Sequence, residues 1–169
     1  AAYKTFLRDP PAPNIACVGG PAIAASAGKL PPWFDARSYN FTQGDVMRRL
    51  EAGEGGTGAG NCAYHRERAL EVGAFNNALG RIGQFLGAHE ETELNSRLRA
   101  GGYEIWWLPA ARIKHFIPAS RTTLRYMLQA SFGSGRSQGV IVKANGRGNG
   151  LSAVSARGSG VASALLRIL

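Results

Sequence analysis

Two residues in the middle of the chain have side chains suited to catalysis, the carboxylate of Glu91 and the imidazole of His115. If a helix runs from His89 to Ala100, Leu94 and Leu98 follow Glu91 by three and seven residues. All three side chains then share one face of the helix. A charge on the apolar stripe of a helix is unusual, because burial penalises a carboxylate. The spacing therefore favours a carboxylate that points inward, where it could act as a base. A histidine brought in by a following strand could act as a metal ligand.

The elements around these two groups can be read from the same pattern. Gly101-Gly102 ends the helix, and strands are predicted at Glu104–Leu108 and Arg112–Ile117, the second of which carries His115. Further strands or extended segments are predicted at Ile15–Val18, Ala22–Ala27 and Asn61–Tyr64. Helices are predicted at Asp45–Glu51, Arg66–Val72 and Arg121–Phe132, the last capped by Ser120. A connecting loop is predicted at Phe75–Phe85. Residues 1–13 are predicted to form a loop or a loosely packed helix end.

Composition sets limits on what the chain can be. Its 169 residues and 44% hydrophobic content suit one domain with a core, and the net charge of +9 suggests an anionic partner. Nucleic acid, an anionic membrane surface and a phosphorylated substrate are all compatible with that charge. The two cysteines, Cys17 and Cys62, are expected to be reduced and buried, and no ligand pair has the spacing of a zinc finger.

The end of the chain differs from the rest in composition. Residues 1–139 are predicted to belong to the catalytic portion, and residues 140–169 to a glycine-rich linker and an apolar tail. No apolar run reaches the roughly 18–20 residues of a membrane-spanning helix. The tail at 161–169 is either the start of such a helix or an amphipathic end.

Three segments together resemble the family 2 glycosyltransferases. Gly60-Asn61-Cys62-Ala63-Tyr64-His65-Arg66 and the following Ala69–Phe75 resemble that family's GGN-A-F-R-R segment. His89-Glu90-Glu91-Thr92-Glu93-Leu94 resembles its G-E-D-T-E-L, and Trp107-Leu108-Pro109-Ala110 with His115 resembles its Y-V-P-x-A-x-V-x-H. The order and spacing agree from about Ile15 to Gly139. The resemblance implies part of a GT-A fold, an α/β architecture in which helices flank a mixed sheet.

The resemblance also implies an activity, the transfer of a sugar from a nucleotide-sugar donor to a glycan or lipid-linked acceptor with inversion. Glu91 would be the general base, in a position where many members carry aspartate. His115 would bind a divalent ion, Mn or Mg, on the donor diphosphate. Substrate-binding roles are implied for Glu90, Gly60 and Asn61, and for Arg121 and Arg125, whose positive charges suit a phosphate or an anionic lipid carrier.

Each of these roles has a structural alternative. Glu91 could be a capping carboxylate, His115 a strand residue, Asn61 a turn-shaping residue, and the two arginines solvated helix charges. The tryptophans Trp33, Trp106 and Trp107 could stack on a sugar or fill the core, and core packing is expected for at least one of the last two.

The family's donor-binding half, which ends in an Asp-x-Asp motif, has no counterpart in this sequence. It is expected upstream of Ala1, so the chain would be an acceptor-side fragment that is inactive alone. The expected location is the cytoplasmic face of the cell membrane, in the synthesis of a cell-envelope polysaccharide. The alternative is a basic module without enzymatic activity that binds RNA or an anionic membrane. Nucleic acid is not the expected partner, because no RNA-binding motif appears. A degenerate domain that binds without catalysis is a third possibility.

Overall fold

The computed structural model describes residues 1–26, 28–54, 56–58 and 60–144, with no account of the Ser38 side chain. These residues fall into two compact units. The first unit comprises Ala1–Ile23, Asn40–Asn76 and Glu90–Lys114, and the second comprises Ala24–Tyr39, Asn77–His89 and the chain from His115 onward. Of the linker and tail predicted at 140–169, residues 145–169 lie outside the described residues.

Helices and short strands alternate along the chain. The helices are α1 (Ala2–Arg8), α2 (Arg66–Glu71), α3 (Glu90–Ala100) and α4 (Leu124–Ala144), with single 3-10 turns at Ala36–Tyr39 and Ala119–Thr122. The strands are β1 (Ile15–Gly19), β2 (Ala22–Ser26), β3 (Arg48–Arg49), β4 (Cys62–Tyr64), β5 (Arg81–Ile82), β6 (Phe85–Leu86), β7 (Glu104–Trp107) and β8 (Ile113–Ile117). The predicted strands in β1, β2, β4, β7 and β8 are confirmed, as are the helices α2 and α3.

The first unit is built on a four-stranded sheet in the order β3-β7-β1-β4. Strand β1 runs parallel to β7 and antiparallel to β4, and β3 pairs antiparallel with β7. The sheet is therefore mixed, and with its helices the chain has the mixed α/β architecture that was expected. Every residue of β1 is buried, which its continuous apolar run had indicated.

Helix α3 supplies the centre of the first unit's core. Leu94 and Leu98 are completely buried. They share a cluster with residues of two strands, β1 and β7, and of the segment after β3, namely Ala16, Cys17, Leu50, Ile105 and Trp107. The helix ends at Ala100, and Gly102 just beyond it has a φ of +80°, a backbone conformation that residues with side chains disfavour. The packing of α3 against the sheet fixes the position of its first turn.

Two predictions for the first unit are wrong in detail. The helix predicted at Asp45–Glu51 is replaced by β3, because Arg48–Arg49 pairs with the edge of β7 and the Leu50 amide donates to the Ile105 carbonyl at 2.8 Å. The proline-rich start contains a helix, α1, whose Phe6 is buried against the ring of Trp106. Tertiary contacts outweigh local propensity in both segments.

The second unit contains the β5–β6 hairpin and the long helix α4, and β2 and β8 pair as a separate two-stranded sheet. The connecting loop predicted at Phe75–Phe85 therefore includes a strand, β5, and the start of a second, β6. Helix α4 begins after Thr123, whose hydroxyl accepts the Tyr126 amide at 3.2 Å, so Ser120 is not the cap. The helix continues to Ala144 instead of ending at Phe132. Within the part of the chain that is described, no helix has the length and apolar character needed to cross a membrane.

Candidate functional site

Glu91 lies in the first turn of α3, among three acidic residues, Glu90, Glu91 and Glu93. It is half-buried, while Leu94 and Leu98 of the same face are fully buried. The partial positive charge of the helix N-terminus favours an ionised carboxylate at this place. The predicted stripe is therefore present, with the carboxylate at the accessible end of a buried face.

Strand β4 places two polar side chains near Glu91. Cys62 and Tyr64 are two residues apart and share one face of the strand. The negative charge of Glu91 acts on both groups, so the three side chains lie within electrostatic range of one another. The carboxylate, the thiol and the phenol thus form a polar cluster in the first unit.

A second contact ties this cluster to α3. The hydroxyl of Tyr64 donates to the Oδ1 of Asn95 at 3.2 Å, and Asn95 is completely buried. Asn95 follows Glu91 by four residues, which places both on one side of the helix. Burial, followed by the charges of Cys17 and Cys62, raises the pKa of Tyr64 well above its usual value, so the phenol stays protonated and can donate.

Cys62 has a partner across the sheet, Cys17 of β1. In the β1–β4 register Cys17 lies opposite Tyr64 and Cys62 lies opposite Gly19, so the two cysteines are diagonal neighbours on one face. The sulfur of Cys17 also lies 3.2 Å from the Thr57 hydroxyl. A side chain at Gly19 would overlap Thr57, so glycine permits this close approach. Both cysteines are free, as predicted; Cys17 is buried, but Cys62 is only half-buried.

The pKa values of the two thiols are shifted in opposite directions. The neighbouring thiol of Cys17 is the main cause that lowers the pKa of Cys62, against the opposing effects of burial and of Glu91. Burial is the main cause that raises the pKa of Cys17. Cys62 is therefore the more readily ionised of the two thiols, and it is also the more accessible.

Asn61 and Gly60, both predicted to bind substrate, are at the start of β4. The amide of Asn61 is buried and donates to the carbonyls of Pro21 at 2.9 Å and Ala111 at 2.7 Å. Its Oδ1 accepts from the Tyr3 hydroxyl at 2.9 Å. These bonds join segments that follow β1 and β7 to α1, so the amide shapes the sheet edge. Gly60 is exposed with a φ of +86°. Substrate binding by either residue stays a prediction.

Other charged residues of α3 differ in whether their side chains have hydrogen-bond partners. Glu90 is half-buried, and its Oε2 has no hydrogen-bond partner among the described residues. Glu93 and Arg97, spaced i, i+4, form a half-buried ion pair with an N–O distance of 2.7 Å. Arg97 also donates to the carbonyls of Val72 and Ala74, which holds the end of α2 against α3. This arginine is therefore structural, and its sequence spacing alone showed only half of its contacts.

The remaining predicted site residues belong to the second unit. His115 is half-buried on β8, with its ring 6.2 Å from that of Tyr39. The charge of Arg121 acts on the same tyrosine, and Arg125 is exposed on α4. That His115 and Glu91 serve one cavity stays a prediction. Within the described ranges, no group of three or more His, Cys, Asp or Glu side chains could hold a metal ion.

Two further side chains and one cavity bear on where a ligand could bind. Trp107 is fully buried, which confirms the core packing expected for one of the paired tryptophans. Arg136 is exposed and lies over the ring of Phe85 at 4.8 Å. A cavity of about 160 Å³ in the second unit is lined by residues that include Lys29 and Thr122. It contains none of the predicted site residues.

Sequence reasoning missed the polar cluster that surrounds Glu91. Thr57, Tyr64 and Asn95 come from three separate segments, and the pairing of β1 with β4 together with the packing of α3 brings them together. The spacing of Cys62 and Tyr64 was a signal, because alternate residues of a strand share a face. The partner strand could not be read from that spacing. No protein-family model, curated protein or solved structure matches the chain.

Proposed function

We propose that this chain is the acceptor-side portion of an inverting glycosyltransferase with a GT-A fold, in which Glu91 is the general base. The observation that carries the proposal is the position of Glu91, half-buried at the N-terminus of α3 and within electrostatic range of Cys62 and Tyr64. The motif order that resembles family 2 glycosyltransferases supports the same role. The mixed sheet flanked by helices is compatible with part of a GT-A fold.

The reaction requires a carboxylate of this kind. An acceptor hydroxyl attacks the anomeric carbon from the face opposite the leaving nucleoside diphosphate, and its proton must be removed as the bond forms. A carboxylate near a helix N-terminus stays ionised and can accept that proton. The buried Leu94 and Leu98 fix the position of the helix. The backbone of Glu91 is therefore held in place, which would orient its carboxylate toward the acceptor.

Binding of the nucleotide-sugar donor would require side chains in addition to those of the first unit. His115 would contribute one ligand to a Mn or Mg ion on the donor diphosphate, with Arg121 and Arg125 near the phosphates. One histidine outside any described cluster of three ligands is insufficient for such an ion. The other ligands would come from the diphosphate and from a donor-binding half with an Asp-x-Asp motif. When bound, the ion would neutralise charge on the leaving diphosphate.

The acceptor and the location follow from charge. A net charge of +9 suits a chain that works at an anionic membrane surface on the cytoplasmic side. A lipid-linked or glycan acceptor in cell-envelope polysaccharide synthesis fits that setting. The exposed Arg125 and Lys143 of α4 would be available to such a surface.

The test compares two isosteric variants in a polypeptide that joins this chain to a donor-binding half. Glu91→Gln should reduce sugar transfer by about 1,000-fold or more, because the base is lost while the shape is kept. The control, Glu67→Gln, alters a carboxylate whose side chain is 71% exposed and should leave transfer unchanged. Release of nucleoside diphosphate from a panel of nucleotide sugars measures the rate. Unchanged turnover of Glu91→Gln would remove this residue from the mechanism.

A second variant tests the metal role. His115→Ala should raise the concentration of Mn needed for half-maximal transfer by about tenfold or more, because one imidazole ligand is lost. Lys114→Ala, next to it on β8 and exposed, is the control. An identical Mn dependence in the parent and His115→Ala would exclude the histidine as a ligand.

A basic binding module remains the alternative, and the net charge is the observation that favours it. Such a module would bind RNA at physiological salt, with an affinity that falls steeply as salt rises. Binding of this kind in a chain that also fails to support transfer would favour the alternative.

A further inference from the structure

We propose that Cys17 and Cys62 form a two-coordinate site for a soft, thiophilic monovalent metal ion, with Cu(I) as the natural candidate. The two side chains come from residues 45 positions apart and meet because β1 and β4 pair antiparallel. They lie on one face of the sheet, because Cys17 is opposite Tyr64 and Cys62 is opposite Gly19, which makes the two cysteines diagonal neighbours. Both ligands are fixed by sheet pairing alone, so the site does not depend on the proposed glycosyl transfer.

The spacing of the two strands favours a metal bridge over a disulfide. Diagonal neighbours in an antiparallel pair have Cα atoms about 7–8 Å apart. A disulfide joins Cα atoms that are usually about 4.4–6.8 Å apart, since its S–S bond is only about 2.05 Å long. Metal–thiolate bonds are longer than an S–S bond, about 2.3 Å in the case of zinc, so two of them separate the sulfurs by up to roughly 4.6 Å, which suits the wider spacing. The pair can therefore hold an ion between its sulfurs without movement of the strands.

The surroundings select the kind of ion. Zinc requires about four ligands, and no group of three or more His, Cys, Asp or Glu side chains is present in the described part of the chain. Two thiolates without further ligands suit a soft ion that accepts linear coordination, such as Cu(I). Thr57 orients the sulfur of Cys17 through its hydroxyl, 3.2 Å away. Cys17 itself is 1% exposed, so water is largely excluded from that side.

Charge and access are also compatible with such an ion. A Cu(I) ion bound by two thiolates carries one net negative charge, and the guanidinium of Arg99 lies within electrostatic range of Cys17. Cys62 is half-buried, which leaves a route by which an ion or its carrier can reach the pair. Binding would release the thiol protons to solvent and would involve no change of oxidation state.

The test is an anaerobic titration of the reduced 169-residue chain with Cu(I), in competition with a chromogenic Cu(I) chelator. The chain should withdraw one Cu(I) per molecule and remain monomeric. Cys17→Ser and Cys62→Ser should each lower the affinity by more than about tenfold, because one soft ligand is replaced by a hard one. Met47→Leu removes an exposed thioether and should leave the affinity unchanged. Failure to compete with the chelator, or an affinity that survives either serine variant, would overturn the proposal.

X-ray absorption at the copper edge of the parent chain keeps the proposal testable if a serine variant fails to fold. Two sulfur neighbours and no nitrogen or oxygen neighbours would support the dithiol site. One sulfur neighbour, or an ion shared between two copies of the chain, would contradict it.

Discussion

Helices α3 and α4 pack with opposite kinds of residue. In α3 the large apolar side chains, Leu94 and Leu98, are completely buried. In α4 the buried residues are small, Gly133 and Ser137, while Phe132 is 75% exposed. A side chain at Gly133 would overlap the backbone of Leu86, so α4 lies directly on the main chain of β6. One helix is held by side-chain volume and the other by close backbone approach.

This difference shows where function can be sought. Because the leucines of α3 fill the core, the polar Glu91 and Asn95 on the inner side of the same helix stand out as residues that the core does not require. The exposed apolar residues of α4 are outside the core of the second unit, although their spacing resembles a core-facing stripe. A helical pattern of apolar residues therefore marks a buried face in one unit and an exposed face in the other.

The largest effect is expected from the core of α3. Leu98→Ala should lower the free energy of unfolding by about 2–5 kcal/mol, because it opens a cavity at a completely buried site. Leu128→Ala, at a residue that is 57% exposed in α4, should change it by less than about 0.5 kcal/mol. Urea unfolding followed by circular dichroism measures both values. Equal losses would mean that α4 uses its leucine for packing.

A smaller effect is expected where α4 contacts the β5–β6 hairpin. Gly133→Ala should lower the free energy of unfolding by about 1–3 kcal/mol, because the added methyl group would overlap the Leu86 carbonyl. Gly135→Ala meets nothing within 4 Å and should raise stability by up to about 1 kcal/mol, since alanine favours the helix. Thermal unfolding of the two variants shows directly whether each substitution raises or lowers stability. Stabilisation by both would show that the helix does not rest on the hairpin backbone.

The smallest effect is expected from a polar contact of the first unit. Tyr3→Phe should cost about 1 kcal/mol at neutral pH, because it removes the hydroxyl that donates to Asn61. Burial is the main cause that raises the pKa of Tyr3 from 10.0 to about 12. The contribution of the protonated phenol is therefore complete below about pH 10 and is lost as the pH rises towards 12.

Unfolding free energies of the parent and of Tyr3→Phe, measured from pH 8 to about pH 11.5, check this dependence. The difference between the two proteins should shrink over the upper part of that range. A constant difference would show that the phenol does not lose its stabilising contact on ionisation.

Local patterns predicted the elements better than their contacts. The strands β1 and β7 and the helix α3 follow from apolar runs and from glycines at the helix end, which are local signals. Arg48–Arg49 has no strand pattern of its own and becomes β3 only because β7 offers an unpaired edge. Gly133 resembles a helix breaker in sequence, yet the structure uses its lack of a side chain for packing within α4.

The candidate site likewise combines a residue that local spacing identified with neighbours that depend on long-range contacts. Glu91 was identified because an acid on an apolar helical stripe is a local anomaly. Its neighbours Cys62, Tyr64 and Asn95 were not linked to it, because their proximity depends on the pairing of β1 with β4 and on the packing of α3. Asn61 was identified for a substrate-binding role, but its amide also bonds to two carbonyls that follow other strands. These contacts are long-range and have no counterpart in residue spacing.

The most direct measurement of the central claim is the transfer rate of Glu91→Asp beside that of Glu91→Gln, in the polypeptide that includes a donor-binding half. If Glu91 accepts the acceptor proton, the aspartate variant keeps a carboxylate and should retain at least about tenfold more activity than the glutamine variant. Donor affinity should be alike in both. Equal rates in the two variants, or a glutamine variant as active as the parent, would contradict the assignment of Glu91 as the base.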